Sequence, residues 1–256
     1  MLYHAFPRYR KLQKNKDMDL AKSNRIKKIV LIALHVLVFL SALWGILAAV
    51  FNVLDCDHDH WNEGWKVFKF FTNDSNLFAA GTSLAIAIFH IVHFKDDKKL
   101  PAVLSTLHLI AVSMLMMVLL TVLATMVSSM TWRVLFGFPS FLFLHTVTPL
   151  LSLGLFLFTD RAILRKRAIV WADLPYLIYA TSWVIVLLIL NLPPEVEARR
   201  DVSPYFFLSI HNQPWYISLA WFVGLLLTQT ALAAILLLLK NRPWSTKKRL
   251  QNNQNA

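Results

Sequence analysis

Five consecutive residues, Thr72-Asn73-Asp74-Ser75-Asn76, place two hydroxyls, two carboxamides and a carboxylate at the head of an apolar run. On a helix, Thr72, Ser75 and Asn76 share one face through i, i+3 and i+4 spacing. A hydroxyl becomes a nucleophile when a base removes its proton, and a neutral imidazole can do so near neutral pH. His145 is the imidazole best placed for this, inside a later apolar run with Thr148-Pro149 close behind. The two runs could bring a hydroxyl and an imidazole together, as acyl transfer would need. A plain structural reading stands beside this one. Thr, Asn and Asp favour helix N-caps, where the dipole would stabilise Asp74, and a bundle histidine can simply bond a neighbouring helix.

These side chains are positioned by six long apolar stretches, about Ile29–Val50, Asn76–Phe94, Pro101–Val127, Val134–Phe158, Trp171–Leu192 and Trp215–Leu239. A helix needs about 20 apolar residues to cross a hydrocarbon core roughly 30 Å thick. The second stretch is expected to begin nearer Val67, because Val67–Phe71 is itself mostly apolar. The runs are continuous rather than alternating, which predicts helices and not the strands of an outer-membrane barrel. Hydrophobic residues make up 57% of the chain and mean hydropathy is +0.54. The expected fold is therefore all-α: a polytopic membrane protein with one six-helix transmembrane bundle over 29–240. A basic N-terminal tail (1–28) and a basic, polar C-terminal tail (241–256) flank it.

Basic residues set the expected orientation. Nine Lys and Arg lie in Met1–Lys28, three in Lys95–Lys99, four in Arg161–Arg167 and five in Lys240–Arg249, against five on the opposite side. The positive-inside rule then puts both termini in the cytoplasm of a multi-pass cell-membrane protein. Trp61, Trp65, Trp132 and Trp215 would mark the outer boundary, with Trp171 and Trp244 at the inner one. The net charge of +12 is explained by topology and by anionic inner-leaflet lipid. No aromatic or motif-like pattern accompanies it to suggest nucleic acid. The first apolar run is too long for a signal-peptide core and reads as an uncleaved anchor.

With this orientation Thr72 and His145 both lie toward the outer leaflet, His145 about 10 Å in at 1.5 Å per residue. Pro149 should bend the fourth span and free a carbonyl one turn earlier. His35 and His108 lie toward the inner leaflet, where they could pair as structural residues, and His90 and His93 are expected at the interface. The loop Asp55-Cys56-Asp57-His58-Asp59-His60 holds possible metal ligands without a defined spacing. It reads as a solvated acidic loop, so neither a metal nor a cofactor is expected. Cys56 is the sole cysteine, which excludes an internal disulfide. No GxSxG, HExxH, Walker or dinucleotide fingerprint occurs.

Four segments in order carry a resemblance: Phe70–Leu77, His145–Pro149, Leu174–Tyr179 and Ser203–Leu208. In these the chain resembles a bacterial family of six-span membrane proteins labelled androgen-induced-protein-like. That family is distantly similar to the eukaryotic androgen-induced and androgen-dependent threonine hydrolases of fatty acid esters of hydroxy fatty acids. The resemblance implies Thr72 as the nucleophile that attacks a carbonyl and His145 as the partner that takes its proton, with Asn73, Asn76 or helix-start N–H groups holding the oxyanion, Asp74 orienting the imidazole and Ser75 as the alternative nucleophile. This chain has Asn73-Asp74 where an aliphatic-polar pair is usual, and Ser209 where an acidic residue is usual. Tyr205 and Phe206 would belong to a lid, or to a loop anchored at the headgroup level. Two functions compete: an intramembrane Thr/His hydrolase of an amphiphilic, lipid-like ester drawn from the bilayer, and a non-catalytic membrane protein, either a transporter of a small or lipid-like solute or a regulatory partner.

Overall fold

An apolar segment in hydrocarbon can satisfy its backbone N–H and C=O groups only within itself, so each long run closes into a helix. The computed structural model describes residues 6–53, 64–96, 98–125, 127, 132–158, 164–197 and 203–241. It contains α1 (Phe6–Val50), α2 (Phe71–Val92), α3 (Ala102–Thr125), α4 (Pro139–Phe158), α5 (Ala168–Leu190) and α6 (Trp215–Asn241). All six are long and apolar enough to cross a membrane, α1 through its Lys22–Val50 part. No strand occurs among the described residues. The Asp55–His60 loop lies outside them, as does most of the C-terminal tail.

Three boundaries differ from expectation. α1 begins at Phe6, so the basic N-terminal segment is helical and continuous with the first span. α2 begins at Phe71 rather than near Val67, behind a 3-10 turn over Gly64–Lys69. The break has a local cause. Phe70 is extended, and the Asn73 side chain donates to the Val67 carbonyl at 2.7 Å, competing with a continuous helical ladder. The fourth stretch is shortened to Pro139–Phe158, with a separate turn at Arg133–Phe136 before it.

α3 is the central helix, packed against α2, α4, α5 and α6. Every residue from His108 to Leu115 is buried, as befits a helix apolar all round. α1 lies against α2 and α4. Gln229 of α6, fully buried, donates to the Ser113 hydroxyl at 3.0 Å and the Ala172 carbonyl at 2.9 Å, tying α6 to α3 and α5. At one end Lys240 donates to the Phe156 carbonyl at 2.6 Å. Leu34, Leu37, Ile88, Ile91, Ile189 and Leu238 stay exposed on the perimeter, the arrangement a lipid-facing surface requires.

α4 is not uniform. Phe143–Val147 form a π turn, and the Thr148 N–H reaches back five residues to Phe143. The next N–H in that register would serve the Leu144 carbonyl, but residue 149 is proline and has none. Where a bend is expected, the structure has a widened turn. α1 approaches it closely: a Cβ on Gly45 would stand 2.8 Å from Leu144 Cδ2 and 3.0 Å from Phe143 Cβ. Gly45→Ala should lower stability by about 1–3 kcal/mol through overpacking. Gly154→Ala, with nothing within 4 Å of the new Cβ, should not. Thermal unfolding of both variants in detergent, beside the parent, checks this.

Candidate functional site

The first turn of α2 is stitched together by the polar side chains singled out in the sequence. The Ser75 hydroxyl donates to the Thr72 carbonyl at 2.9 Å, and Asn76 Nδ2 donates to that same carbonyl at 2.8 Å. Asn76 Nδ2 also donates to the Leu144 carbonyl at 3.1 Å, the group that Pro149 leaves without a helical donor. Asn76 is fully buried. It therefore fastens the start of α2 to the π turn that carries His145. Asp74 sits half-buried in the first turn, where the helix dipole favours an acid. The helix cap itself is Phe70, so none of Thr72, Asn73 and Asp74 is an N-cap.

The segment Ser203–Leu208, expected as a lid or an interfacial loop, instead folds into the bundle together with Ser209. All of it is buried except Tyr205, half-buried, and Phe206, which is exposed. Phe207 stacks on Trp221 with ring centroids 5.5 Å apart, six residues or about 9 Å along α6. Irregular backbone is tolerated at such depth only when protein surrounds it or it lines a cavity. Glu197 secures the preceding stretch, its buried carboxylate accepting from the His211 backbone N–H at 3.2 Å and pairing with the same residue's ring.

Tyr205 is the residue this folding delivers to the site. Its hydroxyl lies 3.4 Å from the Thr72 hydroxyl, a loose hydrogen bond, and its oxygen is within reach of the Phe71 and Thr72 backbone N–H groups. A phenol thus meets the open N-terminus of α2. Burial pushes the Tyr205 phenol up to about 12, against the opposing pull of those hydrogen bonds. It stays protonated at neutral pH, able to donate a hydrogen bond and not serving as a base. Tyr179 donates to the Lys69 carbonyl at 2.6 Å and Tyr176 to the Phe222 carbonyl at 3.1 Å. Both rings pack on Phe71.

Beside Thr72 and Tyr205 lies a cavity of about 270 Å³. Its wall is largely apolar and aromatic, including Met117 and Val118 of α3, Tyr179 of α5, Phe207 and Leu225. Among the described residues its lining carries no carboxylate, imidazole or thiol. Among the described residues no group of three or more His, Cys, Asp or Glu is placed to hold a metal ion.

The sequence-predicted residues are therefore divided. Thr72 faces the cavity and pairs with Tyr205. Asn73, Ser75 and Asn76 are buried and bonded to backbone carbonyls. His145 is buried in the π turn beside Phe141, ring centroids 5.4 Å apart, and does not line the cavity. Thr72 and His145 lie on elements joined by Asn76, yet the Thr72 hydroxyl bonds the phenol. Tyr176 and Tyr179 went unassigned by sequence reasoning. Their i, i+3 spacing on one face was the available signal. At the opposite end of the bundle His90 is buried with His35 and His108, not interfacial.

Compared with known protein families, curated proteins and solved structures, the chain matches none.

Two outcomes are expected of variants here. Asn76→Leu leaves the Leu144 carbonyl without its donor and should cost about 1–3 kcal/mol, read from detergent unfolding. A folded-state phenol raised from 10.0 to about 12 contributes stability that is complete below pH 10 and is lost as pH rises through 12. The stability difference between the parent and Tyr205→Phe should shrink across that window and hold constant below it.

Proposed function

We propose that this chain is a multi-pass membrane protein that takes a single amphiphilic, lipid-like ester into the Thr72 cavity and cleaves it, with Thr72 as nucleophile. The observation that carries the reading is the Thr72 hydroxyl at the polar edge of a mainly apolar cavity, within hydrogen-bond reach of the Tyr205 phenol. By the positive-inside rule the cavity opens toward the outer leaflet, so substrate enters sideways from lipid. The resemblance to the six-span threonine hydrolases supports the same assignment.

The step balances simply. Thr72 Oγ attacks the ester carbonyl, and His145, brought to it as substrate displaces the Tyr205 contact, takes the hydroxyl proton. The Tyr205 phenol and the N–H groups at the start of α2 donate to the oxyanion. His145 returns the proton to the leaving alkoxide. Water then attacks the acyl-threonine, releasing the acid and restoring the hydroxyl. The bond between Thr72 and Tyr205, rather than between Thr72 and His145, favours a second reading in which the cavity binds an amphiphile without cleaving it.

Labelling with a fluorophosphonate probe in native membranes, followed by peptide mapping, separates the two. Catalysis predicts adduct on the peptide bearing Thr72, lost in Thr72→Ala and His145→Ala and weakened in Tyr205→Phe. Absence of adduct, with a photoactivatable fatty ester still crosslinking to cavity residues, establishes the binding role instead.

A further inference from the structure

A second polar site lies at the opposite end of the bundle from Thr72, independent of the cavity and of its proposed chemistry. His35 of α1, His90 of α2 and His108 of α3 converge there, with His35 centroids 6.3 Å from His90 and 5.3 Å from His108. His35 is fully buried, and neither of its ring nitrogens has a hydrogen-bond partner among the described residues. The same holds for His108 Nε2, for Ser105 Oγ one turn earlier on the same face of α3, and for Ser152 Oγ of α4. Phe156 of α4 closes the far side, edge-on to His108 at 5.2 Å.

The line continues outward. His90 and His93 are three residues apart on α2, both rings packed on Phe89. His93, partly exposed, lies 3.4 Å from the exposed carboxylate of Asp96. Lys28 of α1 holds the backbone of this corner by donating to the Phe94 and Asp96 carbonyls. Imidazoles thus run from a surface carboxylate to the interior, Asp96, His93, His90, His35, His108.

We propose that the His35, His90 and His108 imidazoles form a hydrated proton-exchange site within the membrane, entered from the surface through His93 and Asp96. Each orphaned buried polar atom costs about 1–3 kcal/mol if nothing bonds it. Water is the smallest neutral molecule that both donates and accepts, and it occupies such sites. A metal cation suits the trio poorly. The Lys240 ammonium lies close enough to act on both His35 and His108, and among the described residues no carboxylate acts on them to offset a further positive charge. The charged and titratable groups facing the trio are Lys240 from α6, with Lys28, His93 and Asp96 at the entrance. An imidazole takes a proton on one nitrogen and releases one from the other. In one exchange a proton taken up at His93 is relayed through water to His90 and His35, and a proton given up by the interior rings returns by the same path to surface water, so each ring ends neutral and nothing is oxidised.

The test is solid-state NMR of the full chain, labelled with ¹⁵N-histidine, in phosphatidylcholine nanodiscs. The interior ring nitrogens, identified by signals lost in His35→Phe and His108→Asn, should show polarisation transfer from water. The surface double variant His93→Gln/Asp96→Asn should slow their hydrogen–deuterium exchange several-fold. It lies outside the spans and carries the test if an interior variant fails to fold. Interior imidazoles without water contact would overturn the proposal. So would water contact with exchange unchanged in the surface variant.

Discussion

Pro149 removes one backbone donor from a helix that runs through an apolar medium, and Asn76 on a different helix replaces it. In water such a defect would be repaired by solvent. Within hydrocarbon an unsatisfied carbonyl must find its donor inside the protein. The π turn over Phe143–Val147 shifts the missing bond onto the Leu144 carbonyl, and the Asn76 amide bonds it there while also holding the Thr72 carbonyl of its own helix. One side chain therefore sets the register of α2 against α4. Gly45 lets α1 close over the same turn. The position of the Thr72 hydroxyl follows from this arrangement, since it lies one helical turn from the amide.

The same requirement explains the irregular segment Ser203–Ser209. A chain that leaves the helical path inside a bundle must be covered, and here Trp221, Phe71 and the two tyrosines of α5 cover it. Covering it creates the cavity, because a 3-10 turn and an extended strip cannot fill space as a straight helix would. The Tyr205 phenol, delivered by this segment, meets the free N–H groups at the start of α2. A partner for the Thr72 hydroxyl and a cavity wall come from one residue.

Much of this architecture is visible in the residues themselves. The number of apolar runs, the disturbed helix before Pro149 and the polar face Thr72–Asn76 are all consequences of local composition. The misses share a cause. The start of α2 at Phe71 depends on a side-chain bond from Asn73 to Val67 that hydropathy does not register. The burial of His90 depends on α1 and α3 approaching α2, which leaves an imidazole near a helix end inside the bundle. Ser203–Leu208 reads as an anchored loop because aromatic residues suit a headgroup region and a protein interior equally well.

From sequence alone came the class of molecule: six helices long and apolar enough to cross a membrane, since a run of apolar residues this long satisfies its backbone polar groups within itself. Which side chains meet was decided by tertiary packing. The pairing of Thr72 with Tyr205, residues 133 positions apart, and the gathering of His35, His90 and His108 each require helices to settle at one rotation and one depth. Those are fixed by contacts between helices, such as Gln229 on Ser113 and Asn76 on Leu144, and no pattern along a single helix encodes them.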